Sequence, residues 1–93
     1  METHNIDSNE DRSILSEITG HKMVVGSKQL RKALERGRAS CVYLAGNADP
    51  AITEPIELMC KQYHIKCAWV PSMLDLGHAC GIEVGAAAAA AVD

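Results

Sequence analysis

The sequence predicts an α/β fold in which short strands alternate with helices inside one domain of 93 residues. Apolar runs of strand length alternate with segments whose apolar residues recur at helical spacing, and glycine or proline separates most of them. Hydrophobic residues make up 47% of the chain, which is enough to bury one core. We expect residues 8–93 to form this domain and residues 1–7 to form a flexible, acidic N-terminal tail.

The first half of the chain predicts a helix between Ser8 and Gly20, a strand at 23–25, a helix at 27–36, a strand at 41–45 and a loop at 46–50. Ser8–Asp11 has the pattern of a capping box, and Gly20 supplies a helix stop. Gly26 turns the chain, and Ser27 is the expected N-cap of the second helix. The expected core faces are Ile14, Leu15 and Ile18 on the first helix and Leu30, Ala33 and Leu34 on the second.

The second half predicts a third helix, a strand at 66–70 that Pro71 ends, and a fourth helix that begins after Ser72 and closes at Gly81. Proline lacks an N–H group, so we expect Pro55 to lie in the first turn of the third helix. Tyr43 and Trp69 lie in predicted strands, where we expect both to be part of the core. The expected apolar face of the third helix is Ile52, Ile56, Met59, Cys60 and Tyr63.

The alanine-rich segment Ala86–Val92 gives two conflicting signals. Alanine has the highest helix propensity, yet this run is short, follows Gly85 and lacks polar spacing. In an alternating α/β chain it could instead be a buried central strand whose small side chains let helices approach from both faces. Because the alternation leaves one strand unaccounted for, we predict a strand here.

Charge is unevenly distributed along the chain, whose net charge is −3. Residues 1–20 carry five acidic residues against one arginine, whereas residues 21–92 carry eight Lys or Arg against six Asp or Glu. The body of the domain is therefore mildly basic, although this alone does not decide what it binds. No apolar stretch has the length of a membrane span, and we expect no membrane association.

The cysteines at 41, 60, 67 and 80 form no CxxC pair and have no histidine at zinc-ligand spacing. Each lies within an apolar run, so we interpret all four as reduced, packed thiols of a cytoplasmic protein. No cofactor or metal site is expected.

The second helix carries a row of positive charges. Lys28, Lys32 and Arg36 are spaced four residues apart and share one face, with Arg31 beside them. Like charges at this spacing repel one another, and the helix dipole disfavours a cation in the first turn. A bound polyanion would remove both penalties, and Gln29 in the same first turn could read base edges. The alternative interpretation is an ordinary solvated outer face.

The segment between Gly81 and Gly85 carries two apolar residues, Ile82 and Val84, at a position where a loop should be polar. Either its apolar side chains fold back into the core, or they form a platform for an unstacked base, as apolar surfaces do in RNA recognition.

Two stretches, VVGSKQLRKALERG and LGHACGIEVGAAAAAA, resemble the ribosomal-protein family named for proteins seven-Ae and thirty-e, in particular its small bacterial stand-alone members. The resemblance covers roughly residues 23–92. It implies a three-layer α/β/α sandwich with a four-stranded mixed sheet. It also implies binding of the kink-turn, an RNA bend beside tandem sheared G·A pairs.

The recognition helix of the archaeal members opens with Gly-small-Asn-Glu-x-x-Lys. Here Gly26, Ser27 and Lys32 match that pattern, while Lys28 and Gln29 replace its Asn and Glu. The loop segment resembles the family's base-contacting loop. The residues that the resemblance and the charge row together assign to RNA are Gly26, Ser27, Lys28, Gln29, Arg31, Lys32, Arg36, Ile82, Glu83 and Val84.

The expected protein is thus a cytoplasmic monomer that binds a kink-turn and is associated with the ribosome. Ribosomal RNA, a riboswitch and another regulatory RNA remain open as targets. One alternative is a protein-interaction module of the same fold, because fold alone does not fix function. We do not expect an enzyme: Cys80 and His78 are the nearest candidate pair, and two residues apart on one helix they point to different sides.

Overall fold

The protein is a four-stranded mixed sheet between two layers of helices, as expected, and the computed structural model describes residues 14–93. The predicted tail at 1–7 and the capping box at 8–11 lie outside the described residues. The described elements, in chain order, are α1 (helical residues 14–19), β1 (Met23–Val25), α2 (Ser27–Glu35), β2 (Ala39–Ala45), α3 (Pro50–Tyr63), β3 (Lys66–Val70), α4 (Met73–Ala79) and β4 (Ala88–Val92).

The strand order of the sheet is β1-β4-β2-β3. Strand β4 is antiparallel to both β1 and β2, whereas β2 and β3 are parallel. Strands β1, β2 and β3 therefore run in one direction and end at the same edge of the sheet. Because α2, α3 and α4 each follow one of these strands, all three helices begin at that edge, next to the start of β4.

The alanine-rich segment is a strand, as predicted, and it is central and buried. Ala88, Ala90 and Val92 face α2 and α3, while Ala89 and Ala91 face α1 and α4. The small side chains let helices approach the middle of the sheet from both faces. Tertiary packing thus overrides the helix propensity of alanine.

Each face of the sheet has its own core cluster. Between the sheet and α2 and α3, the cluster includes Leu30, Leu34, Val42, Leu44, Ile56 and Cys60. On the opposite face, it includes Ile18, Tyr43, Ala45, Val70 and Leu76. The alternation of Val42 and Leu44 with Tyr43 and Ala45 follows the two-residue period of a strand that is covered on both sides.

Trp69 contradicts the prediction that it belongs to the core, because 44% of its surface is exposed. It lies on β3, which pairs only with β2 and is therefore an edge strand of the sheet. Tyr43 lies on the interior strand β2 and is buried, as predicted. The strand's position in the sheet, which the local sequence does not reveal, decides between the two outcomes.

Helix α3 begins earlier than predicted. Asp49 is its N-cap and Pro50 its first residue, so Pro55 lies inside the helix, past the first turn, and the prediction for it was wrong. The predicted apolar face was also wrong at its margins, because Ile52 and Tyr63 are exposed while Thr53 is buried with Ile56 and Cys60. The face of α3 that packs into the core therefore includes Thr53, Ile56 and Cys60.

Candidate functional site

The start of α2 lacks a side-chain cap. Gly26, not Ser27 as predicted, is the N-cap residue, and its φ of 99° is a conformation that glycine adopts readily. The first bond within the helix runs from the N–H of Leu30 to the carbonyl of Gly26, at 3.0 Å. The N–H groups of residues 27–29 therefore have no acceptor inside the helix. Glycine offers no side chain to accept from them, so they are available to a ligand.

The other two helices that begin at this edge are capped by side chains. Asp49 accepts a hydrogen bond of 2.9 Å from the N–H of Ala51 at the start of α3. At the start of α4, Ser72 accepts from the N–H of Asp75 at 3.1 Å, as the sequence predicted. Asn47 accepts from the N–H of Met73 at 2.8 Å. Among these three helix starts, only that of α2 lacks a side-chain acceptor.

The cationic row of α2 lies in solvent. Lys28, Arg31, Lys32 and Arg36 are all exposed, as is Gln29 in the first turn. The first turn contains no acidic residue that would compensate either the lysine or the dipole. The start of α2 thus combines free N–H donors with positive side chains, an arrangement that favours an anion.

In the predicted apolar loop, one apolar side chain packs against the core and the other is exposed. Ile82 is half-buried and packs against the cluster under α4, in line with the core interpretation of this residue. Glu83 is exposed, and 66% of the surface of Val84 is exposed. Of the two predicted apolar contacts, Val84 is accessible to a ligand, whereas Ile82 packs into the core on the α4 side of the sheet.

Gly77 lets this loop lie against α4. A β-carbon at position 77 would overlap the carbonyl oxygen of Val84. Two backbone hydrogen bonds fix the ends of the loop, one from the N–H of Ile82 to the carbonyl of Gly77 at 3.0 Å and one from the N–H of Ala86 to the carbonyl of Met73 at 2.9 Å. Both ends of the exposed loop are therefore held against the backbone of α4.

The two predicted halves of the site are joined through β4. The N–H of Gly26 donates to the carbonyl of Ala88 at 3.1 Å, and Val25 pairs with Ala89. Because Ala88 follows Val84 by only four residues, the start of α2 and the apolar loop lie at the same edge of the sheet.

Three of the thiols, those of Cys60, Cys67 and Cys80, are held in their protonated form. Burial raises the pKa of Cys60, Cys67 and Cys80, that of Cys67 to about 12. All four cysteines are free, and Cys60 is buried while the other three are half-buried. A neutral, packed thiol is a poor nucleophile.

Burial also raises the pKa of the Tyr43 hydroxyl, with further contributions from Cys41 and Glu17. This hydroxyl donates a hydrogen bond of 3.4 Å to Glu17. Within residues 14–93, no group of three or more His, Cys, Asp or Glu is arranged to hold a metal ion. None of the described helices combines the length and the apolar character that crossing a membrane requires.

Three residues that pack or line this part of the molecule, Gly77, Lys22 and Arg38, were not among those predicted from the sequence. Gly77 had a signal, since a glycine inside a helical pattern often marks close packing. Lys22 and Arg38 had none, because they lie sixteen residues apart in the chain and meet α2 only in the folded domain.

This fold and this residue pattern are those of a known family. The chain belongs to the Ribosomal protein L7Ae/L30e/S12e/Gadd45 family, whose model matches residues 13–93. It is 41% identical over 71 residues to RNA-binding protein TTE2299 of Caldanaerobacter subterraneus subsp. tengcongensis, covering 76% of this chain and 87% of that protein. It is 43% identical over 68 residues to an RNA-binding protein of Bacillus pumilus, covering 73% and 83%.

Among solved structures, the Giardia lamblia 15.5kD RNA binding protein superposes with a TM-score of 0.81 and 25% sequence identity, covering 86% of this chain and 71% of that one.

Proposed function

We infer that the chain is an RNA-binding protein, and we propose that it recognises a kink-turn by binding alone, without catalysis. The RNA-binding part is supported by bacterial relatives more than 40% identical that carry that name. The kink-turn part is supported by the resemblance of the helix start and the apolar loop to the recognition elements of this family.

One observation carries the proposal: the uncapped, cationic start of α2 and the exposed Val84 lie at the same edge of the sheet, linked by the bond from Gly26 to Ala88. A sharply bent RNA presents phosphates and exposed base edges close together. A single helix start with free N–H groups can meet the phosphates, while a neighbouring apolar surface covers an extruded base.

Each residue then has a distinct role. Gln29, together with Lys28, contacts guanine edges of the sheared G·A pairs, because its amide can both donate and accept. Lys32 and Arg36 bind the phosphates that the bend brings together, with Arg31 beside them. The backbone N–H of Ser27 supplies the first free donor, and Gly26, which has no side chain, leaves that donor accessible to the RNA. Val84, supported by Ile82 and flanked by Glu83, covers the extruded nucleotide.

The cationic row favours the bent RNA over the open one. Phosphates repel one another when the RNA kinks, so a row of positive charges stabilises the bent population more than the extended population. Three or four phosphate contacts predict a salt dependence with a slope on the order of −3 in a plot of log affinity against log salt.

Gel-shift titration against two RNAs tests the kink-turn proposal. The first RNA contains a kink-turn, and the second is identical except that Watson–Crick pairs replace the G·A pairs. We expect much tighter binding to the first, because only that RNA can form the bend at a low energetic cost. Equal affinity for both RNAs at several salt concentrations would remove the kink-turn from the proposal and leave general RNA binding.

The physiological target is a ribosomal RNA or a structured regulatory RNA, and we propose that the monomeric protein meets it in the cytoplasm, on or near the ribosome. The four free cysteines support a reducing compartment. Sequencing the RNA that co-purifies with the protein from cells would identify the target. Recovery of RNA without any kink-turn sequence would contradict this assignment.

A further inference from the structure

A second basic feature lies away from the start of α2. A cleft of about 200 Å³ runs between α2 and the short edge strand β1. Its cationic residues come from three separate segments: Lys22 before β1, Lys32 and Arg36 on or just after α2, and Arg38 before β2. Its other lining residues are Val24, Gln29, Ala33 and Val92.

All the charged residues that line the cleft are positive. Among the described residues, four cations and no carboxylate line it. A helix C-terminus attracts basic residues through its dipole, which accounts for Arg36 near the end of α2. The dipole does not account for Lys22, which comes from a different element across the cleft. Four like charges around a partly apolar floor repel one another unless an anion lies between them.

Backbone hydrogen bonds hold the two outlying cations in place. The N–H of Val92 donates to the carbonyl of Lys22 at 2.9 Å, and the N–H of Asp93 donates to the carbonyl of Arg38 at 3.2 Å. The N–H of Arg38 also donates to the carbonyl of Ala33, at 2.9 Å. Lys22 and Arg38 are thus fixed on either side of the end of β4, while their side chains remain exposed.

The cleft is continuous with the site at the start of α2. Gln29 and Lys32 line the cleft and also belong to the row that the proposed function assigns to RNA. Helix α2 has nine residues, so the two ends of this continuous surface are separated by about 13 Å along the helix axis. A strand of RNA that contacts Gln29 can therefore continue along α2 into the cleft.

We propose that this cleft binds the phosphate backbone of an RNA stem next to the recognised bend, with Lys22 and Arg38 as its contacts. This inference depends on the proposed function only in that the chain binds RNA; it does not require the target to be a kink-turn. Backbone contacts of this kind add affinity and orient the stem without reading its sequence.

Two double variants with the same change in net charge test the proposal. The first, Lys22→Gln with Arg38→Gln, removes the outlying cations of the cleft. The control, Lys61→Gln with Lys66→Gln, removes two exposed lysines that do not line it. Because the hydrogen bonds of Lys22 and Arg38 described above are made by the backbone, both variants should fold, as circular dichroism and thermal melting would verify.

We expect the cleft variant to reduce the salt slope by about 1.5 and the affinity by about 20-fold near 0.15 M salt, since each phosphate contact contributes a slope of about 0.7–0.9. The control variant should leave both nearly unchanged. If the two variants lowered slope and affinity equally, the cations would act through net charge alone and the cleft assignment would be wrong. An unchanged slope in the cleft variant would also overturn it.

RNAs with one or the other flanking stem shortened locate the contact. The deficit of the cleft variant should disappear when the stem that occupies the cleft is removed and persist when the opposite stem is removed. A deficit that persists with either stem shortened would exclude a stem contact. Failure of the kink-turn proposal would give a different result, because the wild-type protein would then bind the RNA with replaced G·A pairs equally well. In that case the salt slopes of the cleft variant and the control variant would still test the cleft.

Discussion

The starts of α2 and α3 lie at the same edge of one sheet, yet they are built in opposite ways. Helix α3 has an aspartate that accepts from its first turn and a proline that has no N–H to satisfy. Helix α2 has a glycine without a side chain, followed by a lysine. The first arrangement is complete within the protein, whereas the second needs an external acceptor and an external negative charge.

Because of this difference, we expect the start of α3 to contribute to stability and the start of α2 to contribute to binding. A side-chain cap contributes about 1 kcal/mol to folding, and α3 has one. Helix α2 lacks that contribution and also carries repulsion along its cationic row. Substitutions at the two helix starts should therefore change different measurements, which makes the contrast testable.

The largest effect is expected from Gly77→Ala, which disturbs the loop beside the start of α2. The added β-carbon would overlap the carbonyl of Val84, so the loop must shift away from α4. Overpacking of this kind costs about 1–3 kcal/mol, and the displaced Val84 should no longer contact an RNA bound at α2. Thermal melting would measure the first effect and filter binding to a kink-turn RNA the second.

Gly20→Ala is the matched control for this variant. Its β-carbon would meet only backbone oxygens at 3.7 and 3.8 Å, which are ordinary contacts. RNA affinity should stay at the wild-type value. If Gly77→Ala retained full affinity and stability, the loop would not depend on close packing against α4, and its role in the site would be contradicted.

The next largest effect is expected at the start of α2, where one double substitution should lower RNA affinity and raise the free energy of unfolding. The double substitution Lys28→Gln with Lys32→Gln should weaken RNA binding by about 20-fold near 0.15 M salt, because the guanine contact of Lys28 and the phosphate contact of Lys32 are lost. The same change should stabilise the protein by about 0.5 kcal/mol, since it removes a repulsive pair and a cation from the first turn. Urea unfolding and gel-shift titration measure the two quantities. A variant that lost both stability and affinity would indicate that the lysines serve the fold.

The smallest effect on binding is expected from Asp49→Ala at the start of α3. Loss of the cap should destabilise the protein by about 1 kcal/mol, because the N–H of Ala51 loses its acceptor. RNA affinity at a temperature well below the unfolding transition should be unchanged. A large loss of affinity in the fully folded variant would place the start of α3 in the binding surface and would end the contrast between the two helices.

The local sequence was a good guide wherever one element carried its own signal. Strands β1 and β3 have the predicted bounds, and Ser72 caps α4 as predicted. The predictions were wrong where a neighbour decided the outcome. Trp69 is exposed because its strand lies at an edge of the sheet. Ile52 and Tyr63 are exposed because they lie outside the face of α3 that is buried in the folded domain.

In the candidate site, too, the sequence predicted what depends on one element and not what depends on a neighbouring one. The row on α2 follows from the period of a helix, so spacing alone placed Lys28, Lys32 and Arg36 on one face. The residue type of Ser27 predicted that it would cap this helix, whereas the N-cap is Gly26, whose N–H is bonded to Ala88. The helix start is left open because the last strand of the sheet fixes where α2 begins.

The alternation of strands and helices and the positive face of α2 could be predicted from the sequence, because both depend on residues a few positions apart. Only the folded domain brings the apolar loop to the same edge of the sheet as the start of α2 and places Lys22 and Arg38 around the cleft beside that helix. These arrangements depend on β4, which enters the sheet between β1 and β2. One strand at the end of the chain thereby brings together residues that are far apart in sequence.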